Sequence, residues 1–193
     1  MRRELARKAI HLLSATVPVA YAAGASRATM LWTLGAATLG AILIEIVRRV
    51  HAPAQYALDR TVGPLFRAHE HASVTGATWL AVSLLLAAAA LPRDFAIATM
   101  WAVAVGDPAA ALVGRTLGRL RLHPDGKSVE GAAACLATTF AGAALIAALP
   151  LALAASAGAA AALAEWPRGP FDDNLRIAAA VGATLVALRM FAA

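Results

Sequence analysis

The feature that most limits what this chain can fold into is a succession of apolar runs, each close to the thickness of a bilayer, with an aspartate set inside one of them. A hydrocarbon core asks for roughly 20 predominantly apolar residues per helix, with about 17 to 25 tolerated. The runs 9–24, 28–47, 75–91, 94–115, 130–148, 150–165 and 175–192 meet or approach that length. Hydrophobic residues make up 61% of the 193 and the mean hydropathy is +0.69, well beyond the near-half apolar share of soluble domains. The expected fold class is therefore all-α, a polytopic membrane helical bundle of about seven transmembrane helices forming one domain over 1–193. Aromatics contribute only 6% and alanine dominates, so small side chains let the helices approach closely. The Ala-rich stretch 131–164 is too long for one crossing, and the break is expected at Leu149-Pro150, with proline in the first turn of the next helix. No small-residue cleavage site follows Met1–Lys8, so a secretory signal is not expected. The lone Cys135 allows neither an internal disulfide nor a cysteine zinc cluster and reads as packing.

Charge placement orients the bundle. Arg2, Arg3, Arg7, Lys8, Arg48, Arg49, Arg60, Arg67, Arg115, Arg119, Arg121, Lys127, Arg168 and Arg176 fall on one side of the expected topology, against Arg27, Arg93 and Arg189 on the other. The positive-inside rule puts the first group, and the N-terminus, in the cytoplasm. The net charge of +6 is then a one-sided basic face that contacts anionic lipid, and no nucleic-acid partner is expected. Lipid anchoring does not account for the acids. Glu4, Glu45, Asp59, Glu70, Asp107, Asp125, Glu130, Glu165, Asp172 and Asp173 lie on that same side or in the adjoining half of a span, as do all five histidines, and only Asp94 does not. This points to a polar reaction site at the cytoplasmic interface.

Asp107 lies eight residues before Arg115, about 12 Å deeper along a helix. An ionisable group at that depth costs several kcal/mol unless paired and marks a functional site. Gly106-Asp107-Pro108 is expected to break the span, with Asp107 capping a half-helix that proline starts. Gly114 and Gly118 share its face and leave a bare strip, for a ligand or for another helix. Asp125-Gly126-Lys127-Ser128 opens the fifth run, where free N–H groups, a serine cap and an ammonium together suit an anion. The Walker A spacing fails, because residue 121 is arginine and no strand precedes it. Asp172-Asp173-Asn174, with Glu165 at the end of the sixth run, offers clustered oxygen ligands of the kind Mg²⁺ takes together with substrate phosphates. Arg7 and His11 share a face at i, i+4, and Glu45 with Arg48 are similarly paired at the end of the second run.

In this order the stretches "ELARKAIH", "EIVRR", "HEHASVTGATW", "GDPAAALVGRTLG", "GKSVEG" and "EWPRGPFDDNL" resemble the CTP-dependent lipid kinases, the family of dolichol, phytol and farnesol kinases and the yeast-type diacylglycerol kinase, related to phosphatidate cytidylyltransferases. One departure is Ala178, where many members carry proline. The resemblance implies phosphoryl transfer from CTP, with Mg²⁺, to the hydroxyl of a membrane lipid alcohol, in a bacterial or archaeal cytoplasmic membrane with the active site facing the cytoplasm. It implies Arg7, Lys8 and Lys127 as neutralisers of triphosphate oxygens, and Ser128, Glu130, Gly114, Gly118, Arg115 and His11 as further nucleotide contacts. Metal ligands would come from Asp107, Asp172, Asp173, Asn174 and Glu165, and one of the acids would accept or orient the hydroxyl proton. Glu45, Arg48, Glu70 and Thr75 are expected at the lipid headgroup. The alternatives are a CDP-lipid-forming cytidylyltransferase, whose C-terminal Lys-Asp and His-Gly-Gly stretches are absent here, and a small transporter gated at the fourth run.

Overall fold

The computed structural model describes residues 2–61, 63, 73–121, 127–165 and 171–192. These fold as ten α-helices: α1 (Arg2–Leu13), α2 (Thr16–Ala22), α3 (Arg27–Val50), α4 (Ala52–Thr61), α5 (Gly76–Ala90), α6 (Arg93–Trp101), α7 (Asp107–Thr116), α8 (Val129–Leu145), α9 (Leu151–Glu165) and α10 (Asp173–Ala192). A π-helical turn, Ala102–Gly106, joins α6 to α7. Among the described residues, the pairing of Arg121 with Ser128 is the isolated β-bridge. Three helices, Arg27–Val50, Arg93–Thr116 and Asp173–Phe191, are long and apolar enough to cross a membrane, while α5, α8 and α9 are apolar but shorter.

The centre of the bundle is α6, on which Phe95, Ala96, Ile97, Ala98, Thr99 and Met100 are all buried in sequence. A helix without a polar stripe has no face to offer water and ends up surrounded. Helices α2, α5, α8 and α10 pack around it. The outer α3 behaves differently: Met30, Leu34, Thr38, Glu45 and Arg48 form its buried face, while Trp32, Leu39, Ile42, Leu43, Ile44 and Ile46 point outward. Such an apolar exterior is compatible with a bilayer as solvent.

Two expectations about continuity are corrected. The first apolar run is not one helix but two, interrupted at Ser14-Ala15. Pro18 has no N–H for the carbonyl four residues back and clashes with it. The hydroxyls of Ser14 and Thr16 donate instead to His11 O (2.6 Å) and Leu13 O (2.7 Å), closing the end of α1. Conversely, the fourth run is not broken at Gly106-Asp107-Pro108. Both Gly106 and Asp107 have right-handed helical dihedrals, and Asp107 makes no side-chain cap. The extra residue of the π-turn accommodates the proline: the Asp107 N–H reaches back five residues to Ala102 O, which relieves the crowding an interior proline causes in a regular ladder. The break between α8 and α9 falls where Pro150 predicts it, with Pro150 O accepting the Ala154 N–H at 2.9 Å and Ala148 in the left-handed region at φ 53°.

Helices α7 and α8 cross with their backbones in contact. A Cβ on Gly131 would stand 2.7 Å from Ala110 O and 3.2 Å from Gly114 Cα, and one on Gly114 would stand 2.9 Å from Ser128 Oγ. The bare glycine strip is thus in part taken up by another helix. Because the obstructing atoms at Gly131 include backbone, Gly131→Ala should destabilise by about 1–3 kcal/mol through overpacking. Gly35, whose Cβ would meet nothing within 4 Å on α3, should accept alanine with a gain of up to about 1 kcal/mol. Thermal unfolding of the two variants in detergent would show a lowered midpoint for the first alone.

Candidate functional site

The ends of α7 and α9 and the starts of α8 and α10 meet around a cavity of about 180 Å³, lined by Lys8, Asp107, Ala110, Ala111, Gly114, Arg115, Arg121, Lys127, Ser128, Glu165 and Asp173. Asp107, 5% exposed, sits in it at the point where the π-turn passes into α7. An isolated carboxylate there would carry a desolvation cost that only a partner can offset. The partner is Lys8 of α1, whose ammonium is ion-paired with Asp107 Oδ2.

One turn further along α1, His11 completes the seat. Its Nε2 lies 3.2 Å from Val103 O and its Nδ1 3.8 Å from Asp107 Oδ2. The π-turn explains the first contact. With Asp107 N–H committed to Ala102, the next residue able to reach Val103 O is Pro108, which has no N–H to give. The carbonyl is left for a side chain, and since it can only accept, the imidazole donates. His11 therefore supports the helix that carries Asp107, and it is not among the lining side chains.

At the far wall, Lys127 bridges Glu165 Oε1 and Asp173 Oδ2, both at 2.9 Å, and Arg176 also pairs with Asp173. Burial alone would lower the Lys127 pKa, but the Asp173 and Glu165 carboxylates outweigh it and hold the ammonium above the ordinary lysine value. A pKa raised by folding means that the bridge stabilises fully below the ordinary lysine range and is lost only as pH climbs through the raised value. The second oxygen of Glu165, Oε2, is buried and makes no hydrogen bond. Lys8 and Lys127 are the only lysines in the chain, the other fifteen cations all being arginine.

The remaining expected residues divide. Ser128 caps α8, its Oγ accepting from Gly131 N at 3.1 Å, and lines the cavity. Glu130 turns away from it, its carboxylate accepting the backbone N–H groups of Arg119 (3.1 Å) and Leu120 (3.0 Å). Gly118 lies against Ser128, outside the lining, and so does Arg7. Asp172 Oδ1 accepts from Asn174 N (3.0 Å) and Nδ2 (2.7 Å), and Asn174 Nδ2 also reaches Gly76 O (3.3 Å), so this pair shapes the start of α10 and does not face the cavity. Glu45, Arg48 and Thr75 come together apart from it. Glu45 pairs with Arg48 at 2.7 Å and accepts Thr75 N at 2.8 Å, and Arg48 donates to Ser73 O at 3.0 Å, joining the end of α3 to the start of α5. Glu70 lies outside the described residues, as do Asp125 and Gly126 of the fifth-run motif and His69, His71 and His123.

Sequence reasoning did not single out Arg121 or Arg176 as site residues, using the first only to orient the bundle and to exclude a Walker A spacing. The first is brought to the cavity by its pairing with Ser128, for which the Pro124-Asp125-Gly126 triplet is a turn signal. The second follows Asp173 at i+3 on a helix. No family model matches this chain, and neither does any curated protein or solved structure.

Among the described residues, no group of three or more His, Cys, Asp and Glu side chains is arranged to hold a metal ion. Magnesium does not require such a cage, since it is commonly held through one or two carboxylates, with waters and substrate phosphates completing the shell. The unpartnered Glu165 Oε2 and the neighbouring carboxylates fit that mode.

Removing one member of a buried ion pair strands the other, at a cost of about 3–5 kcal/mol. Lys8→Met should accordingly lower the unfolding midpoint of the purified protein, and adding Asp107→Asn to it should recover most of the loss. Equal midpoints for the single and double variants would show that the pair does not operate.

Proposed function

We propose that the chain is an integral membrane phosphotransferase that moves the terminal phosphoryl group of a nucleoside triphosphate to the hydroxyl of a membrane lipid alcohol. CTP as donor, and a polyprenol, phytol, farnesol or diacylglycerol as acceptor, follow from the motif resemblance. The observation that carries the reading is the convergence of Lys8, Arg115, Arg121 and Lys127 with Asp107, Glu165 and Asp173 on one cavity, from segments far apart in the chain. Seven crossings are proposed, taking α1 with α2 as the first, then α3, α5, α6 with α7, α8, α9 and α10. The 15 to 17 residues of α5, α8 and α9 fall short of about 20 and are accommodated by local thinning of the bilayer. The cavity then lies at the cytoplasmic ends of the helices, the side the arginines mark.

Phosphoryl transfer asks a protein for positioning and charge neutralisation more than for covalent chemistry. A cavity of about 180 Å³ is smaller than the roughly 300–1,000 Å³ of sites that enclose a whole drug-sized ligand. It therefore takes the phosphates, with base and ribose outside. Lys127 and Lys8 exchange their carboxylate partners for phosphate oxygens, each ammonium offering three rotatable donors. Glu165 and Asp173 are the residues that would hold Mg²⁺, which when bound neutralises phosphate charge. The lipid hydroxyl approaches from the bilayer side at the depth of Asp107, whose carboxylate, once released by Lys8, accepts its proton. The alcohol oxygen forms the new O–P bond, the bond between the β,γ-bridging oxygen and the γ-phosphorus breaks, and the nucleoside diphosphate leaves. The depth of the carboxylate in the helix is the depth at which a lipid alcohol presents its hydroxyl.

Purified protein given labelled CTP, Mg²⁺ and a panel of lipid alcohols should release CDP and form a lipid phosphate. Asp107→Asn, verified as folded by size exclusion, should reduce that rate by about 100-fold or more. Release of pyrophosphate instead would make the enzyme a cytidylyltransferase, and full activity of the variant would remove Asp107 from the site.

A further inference from the structure

The end of α7 and the segment between α7 and α8 carry three arginines, Arg115, Arg119 and Arg121. The fold separates them. Arg115, in the last turn of α7, and Arg121 line the cavity, and Arg119 does not. What brings Arg121 there is a set of backbone contacts around Gly118. A Cβ at Gly118 would stand 2.6 Å from Ser128 Oγ and 2.8 Å from Ser128 Cβ, so only glycine lets the chain turn back this close to the start of α8. The returning strand is then fastened at three points. Val129 N donates to Leu120 O at 2.9 Å, Arg121 pairs with Ser128, and the Glu130 carboxylate accepts the N–H groups of Arg119 and Leu120. Those two donors belong to irregular backbone and need an acceptor from somewhere. Glu130 supplies it from the first turn of α8, where an acidic residue is also favoured by the helix dipole.

We infer that Arg121 is the polyphosphate contact on the loop side of the cavity, and that Glu130 is its positioning residue, acting through the backbone of Arg119 and Leu120 without touching the ligand. This rests on the functional reading above and adds to it the group that selects a polyphosphate over a single phosphate: a guanidinium beyond Lys127, reaching for the next phosphoryl along the chain with paired donors. The role belongs to one arginine and not to the charge of the loop.

The arginine neighbours make the test. Binding of Mg²⁺ with inorganic triphosphate, and separately with CTP, is measured by titration calorimetry on the full-length protein in detergent. Arg121→Ala should weaken both ligands by about tenfold or more, the loss expected for a charge-assisted hydrogen bond. Arg119→Ala, with the same change of net charge two residues away, should stay within about twofold. Glu130→Ala should weaken binding as Arg121→Ala does, Glu130→Gln should restore part of it because the amide oxygen still accepts, and Glu130→Ala added to Arg121→Ala should cost nothing more. In turnover the Arg121 and Glu130 variants should raise KM for the nucleotide with kcat little changed. Equal losses from Arg119→Ala and Arg121→Ala, or undiminished binding by Arg121→Ala, would overturn the assignment while leaving the phosphotransferase reading in place. Absence of triphosphate and CTP binding by the wild-type protein would overturn both.

Discussion

A carboxylate placed eight residues inside an apolar helix has to be neutralised, and most of what is distinctive in this fold serves that end. Lys8 meets Asp107 only because α1 is held against the junction of α6 and α7, and α1 is held there partly by His11 and Val103 O. That carbonyl is available because the helix passes through a π-turn, and the π-turn is the form in which an interior proline is tolerated without a break. A proline, a histidine and a lysine, spread over about a hundred residues of sequence, thus support one buried negative charge.

The same economy governs the other wall. Helices α9 and α10 deliver Glu165 and Asp173 to a common point, and Lys127 between them prevents two carboxylates from facing each other unscreened. The cavity rests in a self-neutralised state, its lysines engaged by its acids. An anion arriving at the lysines frees carboxylates, and a cation arriving at the carboxylates frees lysines. Each therefore eases the other's entry, a coupling that comes from shared partners and needs no movement of the helices. The Glu45, Arg48 and Thr75 cluster is a second buried polar assembly, held by its own ion pair and hydrogen bonds. Its effect is felt at the start of α5, where Gly76 O receives Asn174 beside Asp173.

Much of this was legible in the chain. Apolar run lengths located α3 and α5 to α10 to within a few residues, including the division at Pro150, because burial of backbone polar groups leaves few alternatives to helix, whereas the polar start of α1 and the whole of α4 fell outside every run. The depth of Asp107 and the chemistry of Lys127 and Ser128 marked the cavity. What could not be read was continuity. A proline among helix formers signals a stop, yet whether the ladder breaks, as at Ser14-Ala15, or absorbs it in a wider turn, as at Pro108, depends on which neighbouring groups take the orphaned carbonyls. Nor could spacing tell a glycine strip that admits a ligand from one that admits a helix. Gly114 does both, meeting Gly131 of α8 while lining the cavity, which only both segments in space can show. Glu130 has a related lesson: the resemblance implied a nucleotide contact, and the fold gives its acceptor oxygens to an irregular stretch of backbone.

The distribution of cation types has its own consequence. Of the seventeen cations fifteen are arginine, two of which, Arg115 and Arg121, reach the cavity, whereas both lysines converge on it. All the side-chain primary amines of the molecule thus share one address. Acylation or carbamylation, chemistry that guanidinium groups resist, would remove the two ammonium charges from the pocket and leave the guanidinium groups of Arg115 and Arg121 in its lining.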